Sequence, residues 1–451
     1  MGAPCMLEHR SAYARRSALT GEPASATLAL VRDDVPAGDG TAFLAARALN
    51  PDITAKALRA VSEIVAARFY VPPAMLARIL READPVATVG PGAIRFEGFS
   101  ACCSAYIRLD LADEALEVRQ RRHGTTNVDF GPELRAALAR VGRDSGLDIT
   151  IGADGLAIAH ESAAVEERKV PLPLRWIRGF GEVQVHLSRM RRAATIPRVA
   201  AHRFLRAQQG SKSDHLQWIM ATGTGLRSTA RRAVGAVPLR GAHRLRVLEP
   251  LMPSADAMEI WVDDKAGSTA WVLRLGAQRV TLALNAEPWR GFSGDGGLLF
   301  ALATGRETGC AALRGQLCWQ DRLTPDDLMA ATGLSADALD RALATIAAEG
   351  LVGFDLETGA YFHRVLPFRL DRTERLNPRL RAARALVEAG AVTLGPDAAS
   401  VASDGVTHRL RATETALTCT CPWYAKHKAT RGPCKHALAV EIAMEAARDR
   451  G

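Results

Sequence analysis

The sequence predicts an α+β protein of several domains: mixed helical and β-sheet N-terminal and central regions, a winged-helix-like module, and a small C-terminal ββα module. Three observations predict it. The hydrophobic period switches from helical to alternating at Ala93. Two capped helix starts and a short hairpin follow one another between Leu323 and Phe368. Two tight pairs, Cys419-Thr420-Cys421 and Cys434-Lys435-His436, lie near the end of the chain with metal-ligand spacing.

At 451 residues the chain is long enough for two to four domains whose cores need no disulfides. Hydrophobic residues make up 48% and charged residues 24%, as in ordinary soluble globular proteins. The net charge of +9 admits nucleic acid or another acidic partner. Cys5, Cys102, Cys103, Cys310 and Cys318 show no disulfide framework, and a thiolate metal site suits a reducing compartment. Charged residues interrupt any N-terminal signal core, and no apolar run is long enough to span a bilayer. The expectation is a cytoplasmic protein with no membrane contact.

Taken in order, residues 1–40 are small and polar and read as a disordered or weakly ordered arm. An N-terminal α+β region (41–210) opens at Asn50-Pro51-Asp52, a helix start that runs to about Phe69 with Ala57, Val61, Ile64 and Val65 on one face. A second helix follows Pro72-Pro73. Short strands then pass through Ile94 to Phe99, Tyr106 to Leu109, and Leu116 to Val118. Cys102 and Cys103 read as strand neighbours facing opposite ways, and they, Cys310 and Cys318 read as core thiols. A helix covers Pro132 to Val141. Strands at Asp148–Ile151 and Leu156–His160 are joined by Gly152-Ala153-Asp154-Gly155, a hairpin turn signal. Val170 to Gln184 cannot be regular throughout, because Pro171 and Pro173 remove donors. Gln184 to Gln209 reads as a basic helix bearing Arg189, Arg191, Arg192, Arg198, Arg203 and Arg206; it could track phosphates or be a solvated face.

The central β-rich region (211–312) has strands at Leu245–Val247, Glu259–Val262, Trp271–Leu275 and Val280–Leu284, with Trp261, Trp271 and Trp289 assigned to its core. The module at 313–370 starts helices at Thr324-Pro325 and Ser335, stops them at Gly333 and Gly350, and pairs Leu351–Phe354 with Tyr361–Val365. That order resembles a winged helix. A linker helix (371–390) leads to the zinc module (391–451).

Zinc favours four soft-to-borderline ligands in a tetrahedron. Cys419, Cys421, Cys434 and His436 supply such a set, and with no open position the site reads as structural. His427 lies in the same loop, but Cys434-x-His436 makes the better pair. The pattern C-x-C-x(n)-C-x-H resembles the SWIM zinc finger, all four ligand positions being present. The resemblance implies a small ββα module. Thr407–Arg411, Ala416–Thr418 and the Ala/Leu-rich stretch from Cys434 to Arg448 have the strand and helix patterns it requires. Gly124–Phe130 (GTTNVDF) and Val170–Gln184 further resemble bacterial SWIM proteins of the type encoded near MoxR AAA+ ATPases and von Willebrand A-domain proteins. That resemblance implies an adaptor, not an enzyme, with such an ATPase or A-domain protein as partner.

No phosphate loop, dinucleotide fingerprint, H-E-x-x-H or G-x-S-x-G occurs. Three function classes stand: a zinc-stabilised adaptor that binds protein, a DNA-binding protein using its basic finger, and an enzyme with a site in the β-rich region. For nucleic acid, the finger offers Trp423, Lys426, Lys428, Arg431 and Lys435, cations beside a ring that could stack on a base or pack in the core. The winged-helix-like module points the other way. From Asp321 to Tyr361 it carries eight acids against Arg322 and Arg341, a surface suited to a basic protein or to solubility alone.

Overall fold

Strands begin within the first forty residues of the computed structural model. It describes residues 18–20, 25–30, 42–68, 85–127, 130, 132–152, 174–208, 215–223, 225–292, 299, 302–303, 307–367, 377–413, 417–428 and 432–448. The helix expected after Pro72, the Leu156–His160 strand and the Val170–Pro173 stretch lie outside these. The expected arm is corrected by β1 (Ala18–Thr20) and β2 (Ser25–Leu30). The run Ser-Ala-Thr-Leu-Ala-Leu of β2 pairs in parallel with a strand more than a hundred residues later, a partner that composition alone does not reveal.

β3 (Ala42–Ala48) leads into α1 (Pro51–Ala66), with Pro51 in the first turn after Asn50 as expected. There follow β4 (Val86–Val89), β5 (Ala93–Phe99), β6 (Ala105–Ala112), β7 (Leu116–Arg121), β8 (Gly124–Asn127), α2 (Pro132–Leu138) and β9 (Gly146–Gly152). Next come α3 (Leu174–Arg189), β10 (Arg191–Pro197), α4 (Arg198–Ala207), β11 (Leu216–Thr222), β12 (Gly225–Thr229) and β13 (Val237–Arg240). A 3₁₀ stretch, Ala242–Ser254, precedes β14 (Ala257–Val262), β15 (Thr269–Leu275) and β16 (Gln278–Leu284). The basic helix expected over 184–209 is therefore two helices with a strand between them, and Arg191 and Arg192 sit on that strand. The strand expected at Leu245–Val247 is 3₁₀, in a stretch where Pro250 and Pro253 remove ladder donors.

One eight-stranded sheet, in the order β10-β14-β15-β16-β6-β5-β4-β8, crosses the boundary placed between residues 210 and 211. β16 pairs with β6, and β10 with β14, so the two regions expected to be separate share one sheet. A second sheet runs β1-β2-β9-β3-β7 and a third β12-β11-β13. Trp271 is wholly buried and stacks on Phe204 at 5.9 Å, but Trp261 is half-buried and Trp289 is 47% exposed, so only one of the three fills the core as expected. Cys102 and Cys103 are buried in the turn between β5 and β6, not on a strand, and Cys318 is exposed. Gly291, at φ +62°, sits against that turn: a Cβ there would lie 2.6 Å from Cys103 backbone atoms.

Alternation along β5 and β6 divides the large sheet into two chemical faces. Ile94, Phe96, Ile107 and Leu109 point one way, towards the apolar core that α1 also enters. Arg95, Glu97, Arg108, Asp110 and Arg279 point the other way, and registry sets Arg95 opposite Asp110, Glu97 opposite Arg108, and Arg279 opposite Asp110. That charged face is not wet. A hairpin from the winged-helix-like region covers it.

This region comprises α5 (Glu307–Arg314), α6 (Pro325–Thr332), α7 (Ala336–Ala348), β17 (Val352–Asp355) and β18 (Ala360–His363). Thr324 and Ser335 accept from Asp327 N and Ala338 N at the two helix starts, and Gly333 closes α6 at φ +71°, as the sequence implies. Leu323 adds a bridge to Tyr361. α5 packs on α7, so the helical group starts before residue 313. Arg364 pairs with Glu97, both fully buried; Arg108 donates to Phe354 O at 2.7 Å; Arg279 meets Asp355 at 2.7 Å. Gln184 on α3 accepts from Phe354 N at 2.6 Å. Burial alone would raise Asp110, yet Arg108, Arg279 and Arg95 outweigh it and hold its carboxyl at about 2.

Candidate metal centre

The C-terminal module is a four-stranded antiparallel sheet with helices on it. Its strands are β19 (Val392–Leu394), β20 (Ala399–Ser403), β21 (Val406–Ala412) and β22 (Leu417–Cys419), in that order. The expected ββα core is β21, β22 and α10 (Lys435–Arg448), with a short helix, α9 (Pro422–His427), between the ligand pairs. α8 (Pro378–Glu388), expected as a linker, instead packs along α10. Leu380 and Ala383 of α8 bury against Leu438 and Ala439 of α10, together with Leu299 from the body. Its apolar positions match those of α10, a pairing invisible in the sequence of α8 alone.

Cys419 ends β22, Cys421 caps α9, Cys434 precedes α10, and His436 stands in the first turn of α10. Their ligand atoms all lie within 4.8 Å of one another, and all four side chains are buried. His436 Nδ1 is 3.8 Å from Cys419 Sγ. Backbone N–H groups point at two of the sulfurs: Tyr424 N lies 3.4 Å from Cys421 Sγ, and Ala437 N 3.3 Å from Cys434 Sγ. Such donors favour thiolates. Cys434 is held below the usual thiol range, first by a hydrogen bond from the Cys419 thiol, with His436 and Ala437 N adding to it. Cys419 is pushed up by giving that hydrogen bond and by burial; burial also raises Cys421. Three thiols this close cannot all ionise against one another, and a dication removes that conflict. Three sulfurs, one imidazole nitrogen and N–H donors to sulfur make the donor set of a structural zinc site, with Cys419, Cys421, Cys434 and His436 Nδ1 as its holders.

Around the ligands the structure places residues that spacing did not single out. The His408 ring packs on His436 at 4.2 Å between centroids. Arg379, from α8, lies over the Trp423 ring at 4.7 Å and donates to Pro433 O at 2.9 Å, tying α8 to the second ligand pair. His427 packs on Trp423 with the rings tilted at 56° and centroids 4.5 Å apart, and is not in the ligand cluster. Of the candidate nucleic-acid contacts, Trp423 is thus partly buried within the module, and Lys435 pairs with Asp404 at 2.9 Å. Lys426 and Lys428 are exposed, and Arg431 lies outside the described residues. In the GTTNVDF segment, Gly124–Asn127 is the edge strand β8, where a Cβ on Gly124 would meet the Phe43 ring at 2.7 Å.

Among the described residues no helix is long and apolar enough to cross a membrane. No curated protein matches the chain. Of solved structures, the proliferating cellular nuclear antigen from Entamoeba histolytica is similar over 54% of this chain and 98% of that chain, at 11% identity and a TM-score of 0.33, too low to carry an argument. SWIM zinc fingers generally take part in protein or nucleic-acid interactions. Residues 411–445 match the family model of the SWIM zinc finger, and the chain carries this finger with Cys419, Cys421, Cys434 and His436 positioned to bind one zinc ion.

Proposed function

We propose that the protein is a non-enzymatic adaptor in which zinc builds the C-terminal module and the module serves protein–protein contact. The observation that carries this reading is the closure of the site: four protein donors, all buried, leave no coordination position for a substrate. Zinc chemistry is then structural, and what the finger offers is its surface. Trp423 and Lys435, which a nucleic-acid reading of the finger needs, are engaged within the module. The winged-helix-like region agrees with a protein partner. The first turns of α6 and α7 expose Asp326, Asp327 and Asp337, which repel phosphates and suit a basic protein face. The partner class to test first is the one implied by resemblance, a MoxR-type AAA+ ATPase or a von Willebrand A-domain protein.

A pull-down from the native host, with and without nuclease, tests the proposal. A protein partner that survives nuclease and is lost with Cys434→Ala supports it; a partner released by nuclease rejects it. A second reading keeps DNA on the finger through Lys426 and Lys428, which are exposed beside Trp423. The isolated finger bound to DNA in a salt-sensitive way would favour that alternative.

A further inference from the structure

Positive charge in this protein is concentrated away from the finger. From Val183 to Leu248 the sequence holds twelve arginines and one lysine against a single acid, Asp214, a net of +12 where the whole chain is +9. The fold gathers part of that charge around one recess. α4 packs on β12 and β10, and Gly225, at φ +138°, comes so near that a Cβ there would lie 3.2 Å from the Ala200 Cβ. Between α4 and β12 is a cavity of about 570 Å³. Arg203 stands on its helical wall and Arg227 on its strand wall, with Gln208, Thr222 and Ser228 also lining it and no acid among the described lining residues.

Several arginines of the stretch are neutralised within the fold. Arg191 pairs with Asp264, Arg192 with Glu259 and Arg206 with Glu249, while Arg244 is buried on carbonyl oxygens. Arg203, Arg227 and Arg231 are different: they are exposed and meet no carboxylate among the described residues. Arg198, also exposed, turns away from the recess towards the 3₁₀ stretch, reaching the Pro253 carbonyl at 3.5 Å. Arg232 lies over the Trp218 ring at 5.5 Å. Trp218 pairs with Thr229 and Met220 with Arg227, so Trp218, Arg227 and, through the ring contact, Arg232 share one face of the small sheet. Here cations line a recess beside hydroxyl and amide groups, the combination that meets phosphate oxygens and releases condensed counterions.

We propose that the face formed by α4 and β12, with Arg203, Arg227 and Arg232, binds nucleic acid through its phosphate backbone, without reading sequence. This goes beyond the protein-adaptor reading and is independent of it, because it needs neither the finger nor a protein partner.

The test is fluorescence anisotropy of a labelled duplex DNA, about 20 base pairs long, with the full-length protein. Three phosphate contacts predict binding that weakens about fortyfold between about 50 and about 200 mM salt. Arg203→Gln with Arg227→Gln should weaken binding at least about tenfold and lower the salt slope by about two. The charge-keeping pair Arg203→Lys with Arg227→Lys should retain most of it, which separates lost charge from a damaged fold. Cys434→Ala should leave it intact. No binding at low salt, binding indifferent to salt, or an unchanged glutamine pair would overturn the proposal. So would loss in the lysine pair equal to that in the glutamine pair, or loss with Cys434→Ala, which would move the contact to the finger. Capture by phosphatidylserine vesicles without duplex binding would assign the face to a membrane and overturn it equally.

Discussion

The eight-stranded sheet and the finger solve the problem of burying charge at different scales. The sheet body has an extensive apolar core on one face and can hold a charged ladder on the other, since the hairpin supplies counter-charges and excludes water. The finger has a small apolar cluster, in which Val401, Leu410, Ala437 and Val440 are buried around its own three cysteines. A core of that size does not hold a fold alone, and metal binding is then folding energy. The difference teaches where each region is vulnerable: the finger through one ligand, the body through one partner of a buried ion pair.

The sharpest way to break the comparison is to remove zinc. Cys434→Ala, or a strong chelator, should unfold the module, because zinc supplies roughly 10–16 kcal/mol in comparable small domains. Elemental analysis should fall below one zinc per chain, and the main thermal transition of the body should persist. An unchanged zinc ratio would refute the ligand assignment.

Next in size is the body's own weak point. Arg364→Met removes the salt-bridge partner of buried Glu97 and should cost about 3–5 kcal/mol in denaturant unfolding. Adding Glu97→Gln should recover much of that loss, although Tyr106 still donates to position 97. Strictly additive costs would show that the pair does not couple the hairpin to the sheet.

Leu438→Ala probes the joint between the two regions, where Leu438 is fully buried against α8. We expect a loss of about 2–5 kcal/mol, read as a lower melting transition with one zinc still bound. Loss of metal as well would mean that α8 helps form the site.

The smallest expected effect is a pH dependence confined to the body. Trp319 N donates to His363 Nδ1 at 2.7 Å, so that nitrogen must be unprotonated, and burial pushes the imidazole down to about 4. A base with a depressed folded pKa binds fewer protons than the unfolded chain between the two values. Its contribution is therefore full above the ordinary 6.5 and is lost as pH falls from there towards about 4. The urea midpoint should drop between pH 7 and pH 5, and His363→Gln should flatten that part of the profile. Asp110 acts lower down. Its contribution is present above the ordinary 3.8 and is lost as pH falls towards about 2.

Local chemistry was legible where a few adjacent residues suffice. The ligand quartet, the caps at Thr324 and Ser335, the Gly333 stop and the start of α1 at Pro51 all follow from short-range rules, and the structure has them in place. The sequence also carried a period-two alternation through Arg95-Phe96-Glu97 and Arg108-Leu109-Asp110, and by itself that pattern points to one dry face and one wet one. What the sequence alone determined was therefore a zinc-held end, the type of most segments, and which side chains of a strand stand together. Tertiary structure decided which strands are neighbours, joining β16 to β6 across the expected boundary. It set the hairpin over the charged ladder, where Asp355 and Glu357 meet the chain's own Arg279, and it brought Arg203 to Arg227 across one recess. The physical reason is range: caps and ligand pairs are closed by residues a few positions apart, whereas pairing and counter-charge depend on groups far apart in the chain that only packing brings within reach.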